Sequence, residues 1–467
     1  MYVYISFDVE DLVHPDSDDI ALDIAQMLAG EGVIGSMCVV GEKARLWERR
    51  GRTDVIAAMR PHDLSLHTDR HSMHPTPSEY LADKGWADGV AEAVVREGPG
   101  ARDIARLFGR PPSAWATPGH GWGPQIPAAT RRLGIPANLY SHARAGDTGA
   151  CWYAGQLCYS DPVSLPHGED DLCDDAAFEA GLPLLLGKIA EAQHRGCACL
   201  GIAVGHPTRL RYAEFWDLLN YARGEDTDPA HYRFAPRRSD EAYAAGLRNL
   251  RHMALAVRDL PGVEVISVGA LNERFRPENG GLARGDLLHL AEAIVAGGEI
   301  VPEDPRASPA QTLDALARAA LARADGSDLP ACLALRTVLG PAEAPPVLQE
   351  EVTVPTGRRL PWLRELVGYI DATGHLPASL TLGGVPVGPG PLLRALAAVL
   401  LDLARGVEPD QATIAPGAEE PLAAASLAER IYQRVPTWPA HRPELRLDLL
   451  ALHARLQSWS LKPAVLL

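Results

Sequence analysis

Basic residues are scarce in this 467-residue sequence: 44 Lys and Arg stand against 60 Asp and Glu, a formal charge of −16. That imbalance excludes nucleic acid and an anionic membrane surface as main partners, because both select for excess cations. No apolar run is long enough to span a bilayer. The stretch 396–403 is cut short by Asp402 and Arg405. Residues 1–8 begin directly as a strand and lack the basic region, apolar core and small-residue cleavage site of a secretory signal. The seven cysteines have no paired spacing; Cys197 and Cys199 alternate along an apparent strand, and no second pair sits at zinc-ribbon distance. Reduced, buried thiols and a cytoplasmic location are therefore expected.

What is present is ordinary globular material, 46% hydrophobic and 22% charged. The length favours two domains over one. Strand-like runs at 2–7, 33–40, 63–66, 113–116, 137–140, 199–204 and 263–267 alternate with helical patterns at 20–28, 54–59, 79–96, 124–133, 176–194 and 240–258. Interleaving of this kind predicts an α/β fold with a parallel sheet, doubly wound or closed as a barrel. In either case the reactive groups belong just after the strands, at their carboxyl ends. Residues 276–281 read as a linker, so the first domain is placed at 1–277 and a mostly α-helical second domain at 282–467. Within the latter, 285–293, 308–317 and 388–397 echo one another as a cap followed by a Leu/Ala helix, a weak repeat. Pro-rich 341–346 and 436–443 read as extended connections.

The strand-end filter selects four segments. Asp8-Val9-Glu10-Asp11 puts three carboxylates after the first strand, with Asp8 and Glu10 at alternate positions that face one way in extended chain. His67-Thr68-Asp69-Arg70-His71 follows the third strand, and imidazoles at i and i+4 can share one ion. Such an ion needs at least one more protein ligand. Thr68 stands where a zinc peptidase helix carries Glu, which disfavours that class. His74 reads as an exposed loop residue. Trp115-Ala116-Thr117-Pro118-Gly119-His120-Gly121-Trp122 combines chain-breaking residues with aromatic walls and suits a sugar ring; Trp115, Pro118, Gly119, His120 and Trp122 are the candidate lining. His206 ends a late strand in Val204-Gly205-His206-Pro207.

With these motifs in view, residues 1–275 resemble the polysaccharide deacetylase family, carbohydrate esterase family 4. Phe7-Asp8-Val9-Glu10 is similar to its first motif, and His67-Thr68-Asp69-Arg70-His71 meets its His-Ser/Thr-x-x-His motif in full. The resemblance implies a distorted (β/α)7 barrel. It also implies Asp8 as general base, a divalent metal (Zn²⁺) held by Glu10, His67 and His71, and His206 as the acid that protonates the leaving amine. The third motif departs: Ala116 stands where the family carries Arg beside its catalytic Asp, with Arg110 a substitute if the register differs. Residues 352–405 resemble sugar-polymer-binding repeats.

The expected activity is therefore metal-assisted removal of an acyl group from an N-acetylated carbohydrate or related amide. Two alternatives stay open: a weakened, carbohydrate-binding protein on the same barrel, and a cytoplasmic amidase of non-sugar substrates. Self-association through the second domain is a further expectation.

Overall fold

The computed structural model describes residues 1–146, 148–297, 300, 304–355, 361–407 and 410–467. The first half builds one sheet from β1 (Tyr2–Val9), β2 (Ser36–Val39), β3 (Asp63–Leu66), β4 (Trp115–Ala116), β5 (Ala137–Leu139), β6 (Ala150–Tyr153), β7 (Gln156–Tyr159), β8 (Cys199–Gly205) and β9 (Glu264–Val265). A row of seven runs parallel in the order β8-β1-β2-β3-β4-β5-β7, with β9 beside the start of β1. All seven strand runs expected from the sequence appear. The β6–β7 hairpin, antiparallel around Ala154 and Gly155, was not anticipated.

The sheet curls without closing. Among the described residues no ladder joins β7 to β8; an isolated parallel bridge, Val163–Ile202, spans the gap. The described sheet is thus a curled α/β half-barrel, a coarser architecture than the distorted (β/α)7 barrel expected. Its strands are near-continuous apolar runs because helices and loops cover both faces. Val3, Ile5 and Phe7 of β1 are fully buried. The helices Ser17–Gly30, Thr53–Met59, Trp86–Phe108, Asp175–His194 and Asp240–Arg258 lie at or around the expected positions. Ser239 caps the last of these by accepting from the Ala242 amide, satisfying one of the free N–H groups of its first turn.

Residues beyond 281 form a second core around the helices Arg284–Gly297, Pro309–Ala324, Pro361–Thr373 and Pro389–Ala404. The three echoing stretches fall at or near the starts of three of them. Three two-stranded ladders, unforeseen in the sequence, accompany these helices. The chain then returns to the first core. Leu427, Ile431, Val435, Leu450 and Ala454 pack with it, and Lys462–Pro463 pairs antiparallel with β6. Residues 276–281 are held rather than slack: Arg276 donates to Val465 O, and the Glu278 carbonyl accepts from Lys462 Nζ at 2.7 Å. The Pro-rich segment 436–443 opens in a 3-10 turn, Val435–Thr437, instead of running extended, and it buries Trp438. No described helix is long and apolar enough to cross a membrane.

Candidate metal centre

Glu10 leaves the end of β1 into the sheet's carboxyl-end mouth, where its side chain is 2% exposed. His67 follows β3 directly and His71 lies one turn on. Glu10 Oε2 is 2.8 Å from His71 Nε2 and 3.3 Å from His67 Nε2. One ligand atom from each of the three residues falls within 4.8 Å of the others. The segment between the histidines takes an unusual path, with Thr68 at φ 61° and His71 at φ 52°. A β-branched residue in the left-handed region is strained, and such strain persists only where surroundings hold it. Here the Thr68 and Asp69 carbonyls accept from the amides of Gly41 and Glu42 at 2.9 and 2.8 Å.

The tautomers follow from the outer contacts. His67 Nδ1 faces the Ala116 carbonyl at 3.2 Å, so it carries the proton. His71 Nδ1 faces Ser72 Oγ at 2.6 Å; that hydroxyl spends its own proton on Asp217 Oδ2 at 2.8 Å, so it accepts from the imidazole. Both Nε2 lone pairs therefore turn toward the Glu10 carboxylate. Glu10 Oε2, His67 Nε2 and His71 Nε2 are buried and lack a hydrogen-bond partner among the described residues. Three acceptors converging in a buried place call for a cation, and this donor set of two imidazoles and one carboxylate suits a divalent metal with positions left open. Burial opposes ionisation of Glu10, yet the neighbouring imidazoles of His71, His206 and His67 hold its carboxyl well below the usual range. The second Glu10 oxygen accepts from Trp216 Nε1 at 3.1 Å.

Asp8 and His206 sit beside this cluster and are more open, at 13% and 26% exposed. His206 Nε2 lies 4.0 Å from Asp8 Oδ2 and 3.9 Å from Glu10 Oε2. Its Nδ1 is fixed by Glu169 Oε1 at 2.8 Å. Burial disfavours the charged ring, but the carboxylates of Glu10, Glu169 and Asp8 outweigh it and raise His206 to about 10. Asp8 is shifted the other way for a carboxyl: burial raises it, against the pull of His67 and His206. Among the described residues no arginine makes a hydrogen bond or ion pair with it. Arg110 donates instead to the carbonyls of Arg60 and His62, at the opposite end of β3, so it does not replace the missing motif-three Arg. Tyr140, which follows β5 at φ 56°, donates to Ser6 Oγ at 2.7 Å, since Ser6 gives its own proton to the Ile202 carbonyl at 3.1 Å, and the Tyr140 oxygen lies 3.4 Å from Asp8 Oδ1.

The proposed sugar-lining residues divide. Trp115 is buried and its Nε1 donates to Glu97 at 2.9 Å, within the core. Trp122 is buried against His142 and Tyr153. Pro118 is buried as well, whereas Gly119 and His120 are at the surface of the loop. There Trp438 packs over Gly119 and Gly121 so closely that a Cβ on either would meet its ring at 2.6–2.7 Å. The same indole contacts His71 edge-on, 5.5 Å between centroids. His74 is not the exposed loop residue expected: its Nδ1 meets Glu79 Oε2 at 2.7 Å and its Nε2 the Tyr221 carbonyl at 3.1 Å. Glu97, Tyr140, Glu169, Trp216, Asp217 and Trp438 carried no local signal, because each reaches the site through tertiary contacts.

No family model matches the chain, and no curated protein matches it. Several solved structures are similar to it at low identity. A Mycobacterium smegmatis protein described as a polysaccharide deacetylase is 14% identical over 58% of this chain and 88% of its own, with a TM-score of 0.37. The family 4 carbohydrate esterase from Streptomyces lividans is 12% identical over 56% of this chain and 91% of its own, with a TM-score of 0.30. A 4-alpha-glucanotransferase from Thermococcus litoralis is 10% identical over 87% of this chain and 59% of its own, with a TM-score of 0.39. At these values the functional reading rests on the site itself.

Proposed function

We propose that the protein is a metal-dependent hydrolase of the polysaccharide deacetylase type, removing an acetyl or related acyl group from an N-acylated carbohydrate or amide. The observation that carries this reading is the buried, partnerless convergence of Glu10, His67 and His71 beside the open Asp8–His206 pair. A divalent cation, Zn²⁺ by its ligand preferences, would be held by those three residues and supply Lewis-acid polarisation of the acyl carbonyl and a more acidic water. Asp8, partly buried beside Tyr140, takes the proton as water oxygen bonds to the acyl carbon. His206, held protonated by Glu10, Glu169 and Asp8, gives its Nε2 proton to the nitrogen as the C–N bond breaks. Acetate and a free amine result.

Tyr140 stands beside Asp8 but spends its proton on Ser6 Oγ, so Asp8 lacks the charged donor that the family's arginine would supply. Without that cation, burial leaves Asp8 more basic. Metal analysis and acetate release from chito-oligosaccharides, for the wild type and His67→Ala, test the assignment. About one equivalent of metal in the wild type, lost together with activity in the variant, is expected. Equal acetate release from both proteins refutes it. Sugar binding without any metal-dependent turnover would favour the binding-protein alternative.

A further inference from the structure

Beside the same mouth, three guanidinium groups converge on a single carboxylate oxygen. Asp161 Oδ2 lies 2.5 Å from Arg144 Nη2, 3.1 Å from Arg430 Nη2 and 3.4 Å from Arg434 Nη2. Three positive charges face one negative charge, so two remain in excess among the described residues. That excess stands out in a chain of net charge −16. Arg430 also donates from Nε to the His142 carbonyl at 3.0 Å, whereas Arg434 Nε is buried and has no hydrogen-bond partner among the described residues. His142 is itself 1% exposed, with Nδ1 unpartnered. The three arginine side chains are 21–44% exposed, open enough to be reached and enclosed enough for their charge to be felt.

Topology ties this cluster to the reactive groups. His142 and Arg144 follow β5 within five residues, and Tyr140 of the same strand end contacts Asp8. Asp161 stands two residues beyond β7. His120, in the loop after β4, lies 6.1 Å from His142 between ring centroids, and its Nδ1 meets Thr437 Oγ1 at 2.5 Å. Arg430 and Arg434 lie on the helix Ala423–Arg434, which runs directly into the turn presenting Trp438 to His71. The returning C-terminal segment thus brings its arginines and its indole to one mouth together.

A guanidinium is a planar fork of donors that matches a carboxylate or phosphate better than it matches a neutral hydroxyl. We infer that the substrate carries an anionic group, a carboxylate or a phosphate, bound by Arg144, Arg430 and Arg434 while its acyl linkage lies at Asp8 and His206. This rests on the hydrolase reading above and narrows it to acidic substrates. It also assigns the C-terminal segment a part in substrate selection.

Two measurements on the metal-loaded full chain separate the two readings. Calorimetric titration with inorganic phosphate examines the anion site without turnover. Binding is expected in the wild type and in His67→Ala alike, weakened about tenfold or more in Arg430→Gln and in the more exposed Arg434→Gln. Acetate release is then compared between N-acetylglucosamine 6-phosphate or N-acetylmuramic acid and neutral N-acetylglucosamine. The anionic-to-neutral ratio of kcat/KM is expected to exceed about 10 in the wild type and to fall by a similar factor in both variants, with Arg434→Lys retaining most of it. Absent phosphate binding overturns the inference. So does binding that survives both Gln substitutions or disappears in His67→Ala, or a substrate ratio near one. Phosphate binding that follows the arginines without any acetate release leaves the anion site standing and overturns the hydrolase reading instead.

Discussion

Replacing Glu97 by Gln should stabilise the protein above neutral pH and do little below pH 5. Glu97 sits inside the helix Trp86–Phe108, is 3% exposed, and accepts three hydrogen bonds. These come from the Asp69 amide at 3.1 Å, Trp115 Nε1 at 2.9 Å and Tyr80 Oη at 3.2 Å. It therefore anchors the backbone midway between His67 and His71. Burial raises its carboxyl to about 7, helped by the nearby Asp69 and only partly offset by the donors. A carboxyl whose folded pKa exceeds its unfolded one binds a proton more tightly in the native state. Native stability consequently falls as pH rises from about 4.5 to about 7, and the loss is complete above that. A shift of roughly 2.5 pH units at 1.36 kcal/mol each gives about 3 kcal/mol, an upper bound. Gln keeps the shape and cannot ionise. Its carbonyl can take the two N–H donors on Oε2, while the Tyr80 hydroxyl turns to accept from the new amide. Urea unfolding of both proteins at pH 4.5 and pH 8 reads the difference. The Gln variant's advantage should grow by up to about 3 kcal/mol between those values. Parallel unfolding midpoints at the two pH values would refute the account of Glu97. Glu97→Ala, by contrast, strands three buried donors at about 1–3 kcal/mol each and should destabilise at every pH.

The other expectations concern the site. Ser72→Ala removes the link between His71 Nδ1 and Asp217 and should weaken metal affinity about 10- to 100-fold in chelator competition. His206→Gln should lower kcat for acetate release by roughly 10²- to 10⁴-fold at unchanged metal content, as loss of a general acid does. Trp438→Ala empties the space over Gly119, Gly121 and His71. It should lower stability by about 3–5 kcal/mol in thermal unfolding, accompanied by weaker metal retention.

The candidate ligand set is legible in the sequence because two of its three residues are local to one another. His67 and His71 lie four residues apart, and Asp8 and Glu10 alternate at the end of an apolar strand. A parallel sheet sends every strand's carboxyl end to one face, so Glu10, His67 and His206 could be grouped without coordinates. The lining residues fared less evenly, because an aromatic-rich loop looks the same whether it faces a cavity or the core. Trp115 and Trp122 turned inward, and Trp438 covers the loop's glycines from more than three hundred residues away.

What the residue order alone supplied is the set of strands, their parallel sense and the grouping of polar residues at the strand ends. Resemblance to the deacetylase family added the expectation of Glu10, His67 and His71 as ligands, with Ala116 where that family carries Arg. The strands and their grouping follow from hydrophobic periodicity and short-range spacing, whereas the ligand roles follow from the resemblance. Only tertiary packing decided the rest. It left the sheet open between β7 and β8. It set Tyr140 rather than Arg110 beside Asp8, and it turned both Nε2 lone pairs on Glu10 through Ala116 and Ser72. It also carried Arg430, Arg434 and Trp438 back to the mouth. Such contacts depend on where distant segments are buried together, and burial is a property of the whole chain rather than of any stretch of it.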